Sequence, residues 1–192
     1  MNEYFYFKGN RTYLQAATLM DYIIRHHIAP DDELKDIDFS MSRFTDRICD
    51  VIADGNKVQP DTRSVVGQFY YGEQKILAFE TPDKITRRVE YDEDMILNQC
   101  ELVDKDNRII IPANTDQFSF MEKAIAAYKA LLNKLFGKSY KSFFFIRITL
   151  DTIPEGQVEI TYNRIISKKY FQGTITQHGQ KIGALFYGAR QL

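Results

Sequence analysis

The fold is decided by two stretches of sequence, VVGQFYYGEQKILAF at residues 65–79 and FQGTITQHGQKIGAL at residues 171–185. Each alternates apolar and polar residues on both sides of a glycine-containing turn, which predicts a β-hairpin. Aligned without a gap, the stretches match at Gly67 and Gly173, Gln74 and Gln180, Lys75 and Lys181, Ile76 and Ile182, and Ala78 and Ala184. The match indicates one structural unit that occurs twice.

The turn glycine has a different place in the two hairpins. Gly72 occupies the first central position of residues 71–74, which favours a type II′ turn. In the second hairpin His178 takes that place, and Gly179 takes the second central position. The two turns are therefore predicted to differ in type although their strands match.

The first hairpin ends a longer pattern of a strand, a helix and four strands. The aromatic segment YFYF precedes apolar residues at helical spacing over residues 12–27, and Thr12 can cap the start of this helix. Segments with period-two alternation follow, beginning with DIDFSMSRF at residues 36–44. This pattern predicts a first unit at residues 1–80.

The second hairpin ends the same pattern. The strand-like RIII precedes a helix from about residue 118 to 136, with Ser119 or Asp116 as its cap and Gly137 as a left-handed stop. Four segments with strand periodicity follow. We predict a second unit at residues 107–192 and a connector at residues 81–106.

A long helix followed by an antiparallel meander, repeated once, resembles the hotdog fold, in which a sheet wraps around a central helix and two units pair. The resemblance implies an α+β double hotdog, with both units in one chain. It covers most of the sequence and rests on the order and length of the elements.

The resemblance also implies a class of substrate, because hotdog proteins typically handle acyl thioesters of coenzyme A or acyl carrier protein where two units meet. Dehydratases of this superfamily often carry a His-Phe-Pro-Gly type segment, and some thioesterases carry His-Gly-Gly. Neither segment surrounds His26, His27 or His178. The expectation is therefore an acyl-thioester binding protein, with hydrolysis favoured over dehydration.

Two carboxylates, one on each predicted helix, are the candidates for activating water in such a hydrolysis. Asp21 lies in the first helix, and Glu122 lies one turn into the second. Asp21 also fits an exposed ion pair with Arg25, four residues later. Glu122 also fits a solvated polar stripe.

Four polar residues are candidates for binding the substrate. Gln15 and Tyr22 share a face of the first helix, and Asn114 lies in the loop before the second. Arg11 is a candidate for binding the phosphates of coenzyme A. The resemblance implies no cofactor beyond the acyl thioester, and the two cysteines, Cys49 and Cys100, lack the spacing of a metal site.

The bulk composition limits the partners of the chain. The 25 basic and 26 acidic residues give a net charge of −1, which disfavours nucleic acid. No basic leader or apolar run of membrane-spanning length is present, so a cytoplasmic protein is expected. A monomer that is already a pseudo-dimer and a homodimer are both compatible with the repeat.

Three alternatives to a hydrolase remain at this stage. A binding or assembly subunit with the fold but without a working acid and base is consistent with the missing histidine motif. A dehydratase-like enzyme would need another base. An α+β interaction module unrelated to hotdog proteins would present its edge strands to a partner.

Overall fold

The computed structural model describes residues 4–53, 64–113 and 117–191. The chain divides into two compact units, Met1–Tyr91 and Asp92–Leu192. In each unit a long helix is followed in sequence by strands that form an antiparallel sheet. The fold class is therefore α+β, as the sequence predicts.

The first unit contains a short strand, a helix and a four-stranded antiparallel sheet, followed by a second short strand; the sheet is not the meander that the sequence predicts, because β2 pairs with β4 and β3 with β5. These elements are β1 (Phe7–Lys8), α1 (Ala16–His27), β2 (Lys35–Met41), β3 (Arg47–Ala53), β4 (Val65–Tyr71), β5 (Gln74–Lys84) and β6 (Arg88–Val89). The antiparallel sheet has the order β3-β5-β4-β2, and β1 pairs with β6 as a separate parallel ribbon.

The helix α1 begins at Ala16, four residues later than predicted, and Thr12 does not cap it. The backbone is still extended at Gln15, with φ −77° and ψ 140°. The amide of Leu14 donates to the carbonyl of Thr45 at 2.7 Å. This bond holds the segment before α1 in an extended course, so the helix can start only after it.

The second unit repeats the order with a longer helix and longer strands. Its elements are α2 (Asp94–Leu97), β7 (Glu101–Val103), a 3₁₀ turn (Asp104–Asp106), β8 (Arg108–Ile111), α3 (Phe120–Phe136), β9 (Tyr140–Thr152), β10 (Val158–Ile166), β11 (Tyr170–Gln177) and β12 (Gln180–Gln191). The sheet order is β9-β12-β11-β10-β8-β7, antiparallel throughout.

The helix α3 starts with a capping box. The Ser119 side chain accepts from the Glu122 amide at 3.2 Å, and the Glu122 carboxylate accepts from the Ser119 amide at 2.9 Å. Ser119 is thus the cap, as predicted, whereas Asp116 lies outside the described residues. Gly137 was predicted as a left-handed stop, but its φ of −61° and ψ of −16° are right-handed, because its amide still bonds to the Asn133 carbonyl.

The repeated glycine of the two hairpins has the same structural role in both units. A Cβ atom on Gly67 would lie 2.9 Å from Leu19 Cδ2 of α1, and one on Gly173 would lie 2.7 Å from Tyr128 Cε2 of α3. Both distances are shorter than ordinary carbon contacts. Each glycine therefore leaves the space into which a buried side chain of the long helix fits, and the core of each unit lies between helix and sheet.

The two hairpin turns differ, as the glycine positions predict. Gly72 has a φ of 51°, and the flanking Tyr71 and Gln74 pair directly. In the second hairpin both central residues, His178 and Gly179, have positive φ, at 50° and 76°. Positive φ at both central positions is the pattern of a type I′ turn.

Candidate functional site

The start of α1 contains two buried side-chain oxygen atoms that no described residue satisfies. Gln15 is 5% exposed and Thr18 is 4% exposed. Among the described residues, neither Gln15 Oε1 nor Thr18 Oγ1 has a hydrogen-bond partner. Burying such a group unpaired costs free energy of about 1–3 kcal/mol, so two in one helical turn call for an explanation.

The backbone of this turn also has hydrogen-bond donors to offer. The first amides of a helix have no intrahelical acceptor, and together they place a partial positive charge at its N-terminus. Within the described part of the chain, no side chain caps α1, and its first turn contains no acidic residue. The amides suit a ligand with a carbonyl oxygen or a developing negative charge, whereas Gln15 Oε1, an acceptor, suits a donor such as water.

Asp21 lies one turn further along α1 than Thr18 and is partly exposed. Residues three apart on a helix are neighbours, with Cβ atoms about 5–6 Å apart. The face that carries Thr18 and Asp21 is turned away from Leu19 and Ile23, which pack in the core of the first unit. The helix thus places a carboxylate next to the unsatisfied hydroxyl.

Tyr22 belongs to a different cluster, near the other end of α1. Its ring centroid lies 4.7 Å from Phe5, 4.8 Å from His26 and 5.4 Å from His27. Burial, followed by the neighbouring Tyr4, raises the pKa of the Tyr22 hydroxyl. This predicted binding residue lies two helical turns from Gln15, within an aromatic cluster.

Glu122 is 8% exposed, and its carboxylate forms part of the capping box of α3. The first turn of α3 is therefore occupied by side chains of its own helix, in contrast to that of α1. Arg11 lies before α1, with its guanidinium carbon 5.2 Å from the centroid of the Tyr91 ring. Asn114 lies outside the described residues.

Thr45, whose carbonyl accepts from the Leu14 amide, and its partner Glu80 adjoin the start of α1, and no sequence pattern predicts either residue. Thr45 is 3% exposed, and its hydroxyl donates to Glu80 Oε1 and accepts from the Arg47 amide at 3.0 Å. The other Glu80 oxygen lies 3.3 Å from Arg43 Nη2. Thr45 and Glu80 are 35 residues apart, so no local motif could have joined them.

Thiol and metal chemistry have little support at this site. Burial, with contributions from Glu80 and Asp50, raises the pKa of the Cys49 thiol to about 12, so it is not a ready nucleophile. In residues 4–53, 64–113 and 117–191, no group of three or more His, Cys, Asp or Glu side chains could hold a metal ion.

Comparisons with known proteins give similarities of structure alone, because no family model and no curated protein matches the chain. A candidate thioesterase II from Thermobifida fusca is 10% identical, with a TM-score of 0.48 over 95% of this chain and 88% of that one. The tesB protein of Mycobacterium avium subspecies paratuberculosis is 8% identical, with a TM-score of 0.48 over 92% and 87%.

A conserved protein of unknown function with a hot dog fold, from Alicyclobacillus acidocaldarius, is 11% identical, with a TM-score of 0.40 over 92% of this chain and 86% of that one. The chain is similar to hotdog-fold proteins. This is the resemblance that the order of its elements predicts. Scores of this size carry no information about activity. Among the helices that the structure describes, none is long and apolar enough to cross a membrane.

Proposed function

We propose that this chain is a double hotdog protein that binds an acyl thioester, of coenzyme A or of acyl carrier protein, and hydrolyses it at the start of α1. One observation carries the proposal: within the described residues, Gln15 Oε1 and Thr18 Oγ1 are buried without hydrogen-bond partners beside an uncapped helix N-terminus. A bound water molecule that donates to Gln15 Oε1 and bonds to the Thr18 hydroxyl would satisfy these atoms, which no described part of the protein does.

The thioester carbonyl oxygen would accept from the first amides of α1, which stabilise negative charge as it develops on that oxygen. Thr18 and Gln15 would hold the attacking water through their side chains. Asp21, one turn away, would accept a proton from that water as its oxygen bonds to the carbonyl carbon. The carbon–sulfur bond then breaks, and the departing sulfur takes the proton from Asp21, leaving an acid and a thiol.

The two predicted carboxylates have unequal support for this role. Asp21 shares a helix face with the unsatisfied Thr18 hydroxyl, whereas Glu122 lies in the first turn of α3, where its Oε2 accepts from the Ser119 amide at 2.9 Å. A carboxylate that holds a capping box would have to give up that bond or share it in order to position water. We therefore assign water activation to Asp21 and a structural role to Glu122.

A panel of acyl-coenzyme A and acyl-carrier thioesters, with release of free thiol as the readout, tests the assignment. We expect Asp21→Asn to lower kcat/KM by about 10²–10⁴-fold, the usual effect of losing a general base. Glu122→Gln is the matched control: glutamine can still complete a capping box, so kcat/KM should change by less than about threefold. Equal losses in both variants, or none in Asp21→Asn, would overturn the assignment.

A binding subunit without turnover is the second candidate, and the absence of a histidine motif favours it. The same panel distinguishes the two, because a binder would be stabilised by the thioesters in a thermal melt without releasing thiol. If no thioester of any acyl chain length either stabilised the protein or released thiol, both thioester functions would be refuted.

A further inference from the structure

Five exposed lysine and arginine side chains lie at one end of the sheet of the second unit. Strands β9 and β11 begin at this end and β10 and β12 finish there, because the strands are antiparallel and pair in the order β9-β12-β11-β10. The helix α3 ends beside them, with the ring of Phe136 centred 5.3 Å from that of Phe171. We call these five side chains the basic end: Lys138, Lys141, Lys168, Lys169 and Arg190.

The segments that form the basic end contain no acidic residue. Residues 133–150 and 160–192 have neither aspartate nor glutamate, although the whole chain has 26 acidic residues and a net charge of −1. The carboxylates of the second unit come instead from residues 92–122 and 151–159. Charge is therefore segregated within the unit, and a surface of one sign attracts a partner of the opposite sign.

The turn between β10 and β11 places a lysine where glycine is usual. The Lys169 amide donates to the Ile166 carbonyl at 3.0 Å, and both central residues, Ser167 and Lys168, have positive φ, at 50° and 57°. This is the pattern of a type I′ turn, which prefers Asn-Gly because most side chains are strained at positive φ. A lysine held in this conformation is a reason to look for a use of its side chain.

Two large apolar side chains flank this turn and are exposed. Ile165 is 36% exposed and Tyr170 is 43% exposed. Ile165 pairs with the buried Phe171 and lies on the same face of the hairpin, whereas Tyr170, next to Phe171 in sequence, lies on the opposite face. The tip therefore has an apolar side chain on each face, with Lys168 and Lys169 between them.

Cations beside exposed apolar side chains match the surface of an anionic lipid bilayer. Each lysine or arginine near such a surface strengthens binding about fivefold. Tyrosine is favoured at the level of the lipid head groups, and an aliphatic side chain such as that of Ile165 can enter the boundary with the acyl chains. Nucleic acid would also attract the cations, but it has no apolar interior for an isoleucine to enter.

We propose that the basic end is a docking surface for an anionic lipid bilayer, which the tip of the β10–β11 hairpin enters end-on. Lys168 and Lys169 bind the acidic head groups, and Ile165 and Tyr170 contact the region below them. The other three cations of the basic end add attraction at longer range. This inference is independent of the proposed function, because neither the start of α1 nor thioester chemistry enters it.

The chain contains no tryptophan, so a single tryptophan placed at the tip reports on the bilayer directly. In Tyr170→Trp, vesicles of phosphatidylcholine with about 30% phosphatidylserine should shift the emission to shorter wavelength, and brominated lipid should quench it. Leu102→Trp is the matched control, because Leu102 is also 43% exposed but lies on β7, level with Ile160. That level is about 17 Å along β10 from Ile165, so the emission of this variant should not change. An equal shift in both variants, or a shift in neither, would overturn the proposal.

Sedimentation of the wild-type protein with the same vesicles measures its partition coefficient. The coefficient should be at least tenfold higher than for phosphatidylcholine alone, and salt at about 1 M should remove this preference. Ile165→Ser combined with Tyr170→Ser should lower the coefficient at least tenfold, because the apolar area that enters the bilayer is lost.

Lys168→Gly separates binding from folding. It should lower the partition coefficient about fivefold, because one cation is lost, while Tm rises by about 2–4 °C, because glycine tolerates positive φ. Lys181→Gln removes an exposed cation beside the β11–β12 turn, at the opposite end of the sheet, and should leave the coefficient unchanged.

Two results would refute docking on a bilayer. One is an absence of preference for phosphatidylserine, or a partition coefficient that Lys168→Gly does not change. The other is a single-stranded oligonucleotide that binds the wild-type protein and loses affinity in Lys168→Gly, while vesicles do not bind. In that case the basic end would be a surface for nucleic acid, and the assignment to lipid would be wrong.

Discussion

Thr18→Val is expected to raise the free energy of unfolding and, at the same time, to slow thioester hydrolysis. The Thr18 hydroxyl is buried, and no described residue satisfies it. Valine has nearly the same shape but no polar group, and an unpaired buried hydroxyl costs about 1–3 kcal/mol. Allowing for imperfect packing of the new methyl group, we expect a gain of about 1 kcal/mol, or about 2–4 °C in Tm for a chain of this length. Thioester hydrolysis should slow about tenfold, because one hydrogen bond to the reacting water is lost.

Thr45→Val is the matched control for Thr18→Val. Thr45 is buried to the same degree in the same unit, but its hydroxyl donates to Glu80 and accepts from the Arg47 amide. Its loss leaves both partners unsatisfied and should cost about 1–3 kcal/mol. Urea denaturation followed by circular dichroism measures both free energies of unfolding. If Thr18→Val destabilised the protein as much as Thr45→Val does, its hydroxyl would be satisfied in the native state and the site would lose its main support.

Two further predictions concern the core. Gly173→Ala should lower the free energy of unfolding by about 1–3 kcal/mol, because the new Cβ would press on the buried Tyr128 ring. Gly156→Ala is the control, and it should lower that free energy far less in the same urea titration. Among described atoms, its new Cβ would meet only the side-chain nitrogen of Gln177 within 4 Å. Cys49, with its pKa raised to about 12, should resist thiol reagents at pH 8 until the protein unfolds. Because the unfolded thiol ionises near pH 8.5, the free energy of unfolding should fall as the pH rises from about 8 to 10. Cys49→Ala should make this fall with pH less steep. Rapid reaction of Cys49 with thiol reagents in the folded protein, or a free energy of unfolding that does not change with pH, would contradict the buried placement.

The parts of the fold that sequence predicted are those that local patterns specify. The hairpin around Gly72, the cap at Ser119 and the helix that ends near Phe136 each depend on residues within a few positions of one another. The start of α1 was placed too early because Leu14 bonds to Thr45, a contact across 31 positions that no local pattern records. Tertiary hydrogen bonds of this kind override local helix preference.

The candidate site shows the same limit more strongly. Gln15 and Asp21 could be selected as candidate site residues from the sequence, because the helical spacing assigns both to the helix that carries the candidate site. Whether a polar atom is satisfied depends on everything that surrounds it, so the orphaned Thr18 hydroxyl could be identified only in the folded chain.

The two long helices differ at their N-termini, and this difference bears on the proposed function. Both units keep a glycine that receives the long helix, so docking of the helix on its sheet is retained in each copy. At the start of the helix the two units differ: Ser119 and Glu122 cap the first turn of α3, whereas in the described chain no side chain caps that of α1. A capped N-terminus stabilises its helix by about 1 kcal/mol, and an uncapped one gives up that stability. Giving it up in one unit only is reasonable if the uncapped amides serve a ligand there, and adding a cap tests this. Gln15→Asp should stabilise α1 and, by occupying those amides with its own carboxylate, should abolish thioester hydrolysis; a stabilised variant with full activity would show that the amides of α1 take no part in it.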